Sequence, residues 1–114
     1  INTAVGWYRA AAEQGHPEAQ YNLGIAYIEG VGTAYNPQKA AYYFEQAAGK
    51  GVLEAAYNLG LIHENGLTGA ARPDEALYWY KTAADLGSPE AKAAMDQLTK
   101  TLGLMPAEVD RMFN

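Results

Sequence analysis

Few residues in this chain have side chains that could carry out chemistry. There is no Cys, and the two His residues, His16 and His63, lie far apart in the sequence. His16 precedes a Pro-Glu pair, as Ser88 does, so it is predicted to begin a helix and not to bind a metal. Thiolate and zinc-thiolate sites are excluded, and no nucleophile stands at a recognisable spacing from a base. We therefore predict no catalytic residue, no cofactor site and no metal site.

Two glycine-rich segments, residues 30–32 and 66–69, might suggest phosphate-binding loops. Each follows a predicted helix, and neither is followed by the Lys-Ser or Lys-Thr pair of such a loop. Chain reversal between two helices is a sufficient explanation for both segments.

The charge balance argues against two classes of partner. The chain has 8 Lys and Arg against 13 Asp and Glu, which gives a formal net charge of −5. Binding to a phosphate backbone needs clustered cations, so nucleic acid is not a predicted partner. No apolar run approaches the length that spans a bilayer, and direct membrane insertion is not predicted either.

The elements that position these residues come from a sequence repeat. Residues 18–24, EAQYNLG, return as residues 54–60, EAAYNLG, so the period is 36 residues. A fixed period of this length indicates a stack of similar structural units. Apolar residues recur at helical spacing, and no stretch alternates as a strand would. The predicted fold class is all-α.

Proline and glycine set the bounds of the predicted helices. The predicted helices cover residues 3–14, 17–29, 37 to about 51, 53–65 and 73 to about 86, followed by one from Pro89 and a final short one. The predicted units are a half repeat (1–15), two full repeats (16–51 and 52–87), and a degenerate repeat with a cap (88–114). Because Ile1 falls halfway through a repeat, we expect the chain to be a fragment of a longer protein.

Two glycines stand in the middle of predicted helices. Gly24 and Gly60 each cost about 1 kcal/mol in helix propensity relative to Ala. A close approach of the backbones of two helices at these positions would offset that cost. We therefore predict that the two helices of each unit nearly touch at Gly24 and at Gly60.

The pattern E-A-x-Y-N-L-G, a glycine-rich turn, and a second helix ending in A-A-x-x-G resembles the Sel1-like repeat, a relative of the tetratricopeptide repeat. The resemblance covers essentially the whole chain. It implies a right-handed α-solenoid of antiparallel helix hairpins, with first helices on a concave face and second helices on the convex back. It also implies an adaptor or scaffold that binds other proteins, within a bacterial signalling, envelope or assembly complex. A periplasmic or envelope location follows from the same resemblance, and a cytoplasmic one stays open.

The concave groove is predicted from the positions that the core leaves free on the first helices. The predicted partner-binding residues are Tyr21, Asn22, Ile25, Glu29, Tyr57, Asn58, Leu61 and Glu64. In related tetratricopeptide domains, an Asn at the position of Asn22 and Asn58 can bond to a bound peptide. The alternative is that each Asn only satisfies a neighbouring helix end.

The charges of the two first helices favour some ligands over others. Neither Pro17–Glu29 nor Leu53–Asn65 contains Lys or Arg, whereas Glu29 and Glu64 lie toward one end of the groove. A neutral, aromatic or basic protein segment is therefore the predicted partner, rather than an acidic C-terminus. Two other functions remain: a hydrolase or ligand-processing protein that uses the groove carboxylates and His63, or a passive spacer between domains.

The two ends of the stack differ. Part of the first-helix face that carries Val5, Trp7 and Tyr8 is predicted to be covered only by the next unit, so either self-association through this helix or fraying of the helix is expected. At the other end, polar residues are predicted to face solvent, and residues 109–113 are predicted to fold back as a lid.

Overall fold

Proline and glycine set the helix ends, as the sequence predicts. The computed structural model describes residues 2–113, and five of its helices have Pro in their first turn. The side chains of Asn36 and Ser88 cap two of them by accepting from the backbone N–H of Lys39 and Ala91, each at 3.1 Å. The helices in this range are α1 (Asn2–Glu13), α2 (Pro17–Glu29), α3 (Pro37–Ala48), α4 (Leu53–Asn65), α5 (Pro73–Asp85), α6 (Pro89–Leu102) and α7 (Pro106–Met112).

The helices pair as hairpins and stack in chain order. α2 packs against α3 and α4 against α5, while α1 packs on α2, α3 on α4 and α5 on α6. The described residues contain no strand and extend over 47 × 25 × 19 Å. The all-α solenoid fold is thus confirmed. Ile1 and Asn114, the outer bounds of the predicted half repeat and cap, lie outside the described residues.

The core runs through the stack and is built from residues at matching positions of the repeat. Leu23 and Phe44 of the first hairpin and Leu59 and Tyr80 of the second are each 0% exposed. Small residues, mainly Ala, let the helices come together around these large side chains. The residues on the facing sides of the two hairpins are all buried: Leu23, Tyr27, Ala40, Phe44, Ala47, Leu59, Ala76, Tyr80 and Ala83.

Gly24 and Gly60 do mark close approaches, but the contact is not between two backbones. A Cβ added at Gly24 would lie 2.6 Å from Cε1 of Phe44. At Gly60 it would lie closer still to Cδ1 and Cε1 of Tyr80, and 3.0 Å from Cγ of that ring. An aromatic ring from the second helix therefore rests on the glycine of the first. The prediction was wrong in this detail, because the sequence did not show which group fills the space.

At the N-terminal end, Val5 lies on the face that was predicted to be covered only by the next unit. This cover is enough for Val5, which is 5% exposed and belongs to the core. Tyr8 is half-buried, and Trp7 is 72% exposed. The apolar surface of α1 is therefore centred on Trp7.

At the C-terminal end, α7 covers part of the core. Val109 is buried, and the ring of Phe113 lies 5.7 Å from that of Tyr78 in an edge-to-face arrangement. The polar side chains predicted on α6, those of Lys92, Asp96 and Lys100, are exposed. The predicted lid of residues 109–113 is thus present in the structure.

Gly60→Ala tests the ring-on-glycine contact. The added methyl group cannot fit without displacing Tyr80, so we expect unfolding to become about 1–3 kcal/mol more favourable, although Ala is the better helix former. The measurement is urea unfolding followed by circular dichroism.

Gly6→Ala is the matched control, since Gly6 is also helical but has no atom within 4 Å of an added Cβ. This variant should gain about 1 kcal/mol or less from helix propensity. Equal stabilisation of both variants would contradict the close contact at Gly60.

Candidate functional site

The predicted site residues of α2 are accessible side chains along one helix. Tyr21, Asn22 and Ile25 are half-buried and Glu29 is exposed. They sit opposite Leu23 and Tyr27, which enter the core. The helix therefore separates a buried face from a face that a partner can reach.

Three adjoining clefts meet at Asn22. One of about 290 Å³ lies between α1 and α2 and includes Tyr8, Ile25 and Glu29 in its walls. A second, of about 460 Å³, lies between α2 and the start of α4 and includes Tyr21 and Glu54. A third, of about 630 Å³, adjoins the start of α2. Asn22 borders all three, which makes its side chain the centre of this surface.

The predicted site residues of α4 form a second row. Tyr57, Asn58 and Leu61 are half-buried, as are Tyr21, Asn22 and Ile25 at the matching positions of α2. Glu64 is exposed, whereas Ile28 at its matching position is half-buried. Tyr57 and Leu61 pack against the core between α5 and α6. None of the three clefts at Asn22 reaches this row, so the structure gives two neighbouring rows and not one enclosed pocket.

The amide groups of Asn22 and Asn58 have no hydrogen-bond partner among residues 2–113. This differs from Asn65, whose Nδ2 donates to the carbonyl of Leu61 at 2.9 Å. The structure therefore contradicts the alternative in which the two Asn side chains bond to a neighbouring helix end. Both amides are available to a ligand, each with donors and an acceptor.

Sequence reasoning missed an interaction that orients Glu64. The phenol of Tyr80 donates a hydrogen bond to Oε1 of Glu64 at 2.5 Å. Because the ring rests on Gly60, its hydroxyl group reaches the carboxylate one helical turn further along α4. Burial, together with this bond to the Glu64 carboxylate, raises the pKa of the Tyr80 phenol. The phenol therefore stays a donor.

His63 is not part of the groove. It is 8% exposed, and its Nδ1 lies 3.4 Å from Oε2 of Glu75 on α5. At the matching positions one repeat earlier, the ammonium of Lys39 lies 5.5 Å from the ring centre of Tyr27. The His-Glu and Tyr-Lys pairs thus occupy equivalent places between hairpin helices. His63 cannot act together with a groove carboxylate from this position.

Among residues 2–113, no three His, Asp or Glu side chains come close enough to hold a metal ion. No helix in the same range combines the length and apolar character that crossing a bilayer requires.

The sequence matches a family model, which shows to which family the chain belongs. The model described as Sel1 repeat matches residues 1–16, 17–52 and 53–88, which together exceed half of the chain. The chain belongs to the Sel1 repeat family. The matched segments follow the same 36-residue period as the helix hairpins. This family is one of non-catalytic repeat scaffolds, and its members generally mediate protein–protein interactions.

Solved Sel1 repeat structures have the same fold. A Sel1 repeat protein from Oxalobacter formigenes is 31% identical with a TM-score of 0.83, over 97% of this chain and 47% of that one. A protective antigen present in uropathogenic Escherichia coli strains, which displays an SLR fold, is 30% identical with a TM-score of 0.84. That match covers 97% of this chain and 23% of the antigen. The chain therefore spans about half or less of these two relatives. Among curated proteins, no sequence matches it significantly.

The raised pKa of Tyr80 predicts a loss of stability at high pH. A phenol whose pKa is higher in the folded state binds its proton more tightly there. Its contribution is complete below the unfolded pKa of about 10 and is lost above it, at up to about 1.4 kcal/mol per pH unit. Urea unfolding between about pH 8 and pH 12 should show this slope, and Tyr80→Phe should reduce it.

Tyr35→Phe is the control, because it also removes one phenol but from an exposed position. It should keep the alkaline slope of the wild type. A Tyr80→Phe profile that coincides with the wild type would contradict the role given to burial and to Glu64.

Proposed function

We propose that this Sel1 repeat chain is a non-enzymatic interaction module that binds an extended protein segment in the groove formed by α2 and α4. The observation that carries the proposal is the pair of free amides, Asn22 and Asn58, one repeat apart on the accessible faces. An amide can accept from and donate to a peptide backbone at the same time. Two amides at equivalent positions would hold two points of an extended chain.

The side chains beside each amide support a segment with apolar or aromatic residues. Tyr21 and Ile25 accompany Asn22, and Tyr57 and Leu61 accompany Asn58, all half-buried. Such positions gain further burial when a partner covers them, and aromatic rings add a large contact area at low entropic cost.

The charges favour a neutral or basic segment. α2 and α4 contain no Lys or Arg, while Glu29 and Glu64 are exposed at the C-terminal ends of these helices. A carboxylate-bearing partner would meet no cation on either helix.

The enzymatic alternative has little support in the site. His63 is buried beside Glu75, so the groove offers carboxylates without a neighbouring base. From the resemblance to Sel1-like repeat proteins, we also propose that this chain works in a bacterial signalling, envelope or assembly complex.

Selection of displayed peptides on the immobilised wild type tests the groove directly. Selected peptides should bind Asn22→Ala/Asn58→Ala about tenfold or more weakly, because two neutral hydrogen bonds are lost. The melting temperature should not fall, since neither amide is bonded within residues 2–113.

Gln38→Ala is the matched control, as it removes an exposed amide from α3 on the other helix of the hairpin. Peptides that bind the double Asn variant as tightly as the wild type would place the binding surface elsewhere. A chain that selects no peptide would favour the passive spacer.

We also propose that α1 can pair with a second copy of the chain. Ala4 and Trp7 are exposed, whereas Ala40 and Ala76, the counterparts of Ala4, are 0% exposed. The α1 face therefore has the composition of a core face without its cover.

Trp7→Glu tests this pairing by sedimentation over a range of concentrations. The wild type should associate as concentration rises, and the variant should stay monomeric because pairing would bury an unpaired charge. Tyr42→Glu, at an exposed aromatic position of α3, is the control and should associate like the wild type. A wild type that is monomeric at all concentrations would contradict the proposal.

A further inference from the structure

The two hairpins of this chain differ in a way that changes the chemistry of the groove. In the second hairpin, the ring of Tyr80 rests on Gly60 and its hydroxyl group bonds to Glu64. One repeat earlier, the ring of Phe44 rests on Gly24 in the same way. Phe44 has no hydroxyl group, and the counterpart of Glu64 is Ile28. Donor and acceptor are thus present together in one repeat and absent together from the other.

The Tyr80 bond gives Glu64 a fixed position at the groove. Tyr80 is 0% exposed and Glu64 is exposed, so a buried donor holds a carboxylate that solvent can reach. Only Oε1 accepts from the phenol, which leaves Oε2 free. A carboxylate that is already ordered loses less entropy when it binds a ligand than a mobile one does.

Tyr57 and Leu61 extend this position into a stripe along α4. They precede Glu64 by seven and three residues, which places all three on one side of the helix. The ring of Tyr57 lies 5.9 Å from that of Tyr80 and is half-buried. The stripe therefore offers an aromatic ring, an aliphatic side chain and a carboxylate in sequence.

We propose that Tyr57, Leu61 and Glu64 form a socket for an arginine side chain of the partner segment, with Tyr80 as its positioning residue. The guanidinium group would pair with Glu64, and the aliphatic part of the arginine would lie on Leu61, toward the ring of Tyr57. A planar guanidinium group matches the geometry of a carboxylate better than an ammonium group does. The proposal rests on the groove function stated above and names one residue that the groove recognises.

Charge complementarity supports the choice of a cation. Within residues 2–113, no Lys, Arg or His forms an ion pair with Glu64. The matching stripe on α2, formed by Tyr21, Ile25 and Ile28, is apolar apart from its phenol. The groove therefore favours an apolar residue at the first repeat and an arginine at the second.

The test uses N-acetylarginine amide as the probe and N-acetylcitrulline amide as its uncharged counterpart, each titrated into the isotope-labelled chain and followed by NMR. The arginine probe should shift the signals of Tyr57 and Glu64 in a saturable way, with an affinity about tenfold above that of the citrulline probe. Glu64→Gln should remove this preference, and Tyr80→Phe should reduce it. Glu45→Gln, which neutralises an exposed carboxylate on α3, outside the groove, should leave it unchanged.

The first hairpin permits a gain of function. Ile28→Glu with Phe44→Tyr transfers the donor and the acceptor to α2, so this variant should bind a second arginine probe beside Tyr21. Its NMR spectrum shows directly whether it is folded. If it does not fold, Glu64→Gln and Tyr80→Phe still decide the proposal.

Equal affinity for the two probes, or an unchanged arginine preference in Glu64→Gln, would overturn the socket. An unchanged preference in Tyr80→Phe would overturn the positioning role of the phenol. The groove function has a separate readout: peptides that need Asn22 and Asn58 but show no preference for arginine would leave it intact and reject the socket. A chain that binds the arginine probe but selects no peptide would support the socket and reject the groove function.

Discussion

The contact between an aromatic ring and a helical glycine is the constraint on which the rest of this structure depends. Phe44 rests on Gly24 and Tyr80 on Gly60, and both rings are fully buried. A side chain at either glycine would force the ring away, so the glycine sets how closely the two helices of a hairpin pack. The propensity cost of a mid-helix glycine, about 1 kcal/mol, is offset by the packing that it permits.

The same contact determines what the groove presents. The ring on Gly24 lies 5.8 Å from Tyr21, and the ring on Gly60 lies 5.9 Å from Tyr57. Each groove tyrosine thus packs against a buried aromatic ring of the core. Since this arrangement repeats, the surface can change between repeats while the packing stays the same. The hydroxyl group of Tyr80 is such a change, because it adds a bond to the surface without altering the ring contact.

Much of the architecture could be predicted from the sequence because a period fixes equivalent positions. The recurrence of residues 18–24 at 54–60, with proline and glycine at helix ends, gave the hairpins and the buried faces. Contacts between helices are harder to predict from the sequence, because they depend on which side chain fills which space in the core. For that reason the sequence pointed to a close approach at Gly60 without identifying Tyr80, and it did not show that the next unit alone is enough to bury Val5.

The candidate site was predictable in outline. The helical period separates accessible from buried positions on α2 and α4, but it does not show whether an accessible Asn is already bonded. A signal for the Tyr80–Glu64 bond was available: at paired positions of the repeat, Phe and Ile in one unit are replaced by Tyr and Glu in the next. The structure is needed to show that the two side chains lie within hydrogen-bond distance of each other.

The most direct test of the ring-on-glycine contact is the NMR chemical shift of the glycine Hα protons. The proton that takes the place of a Cβ at Gly24 or Gly60 points at the ring of Phe44 or Tyr80, near the bond between Cδ1 and Cε1. Ring currents should move these two protons strongly upfield of those of Gly6, which has no atom nearby. Shifts at Gly24 and Gly60 that match those of Gly6 would contradict the account.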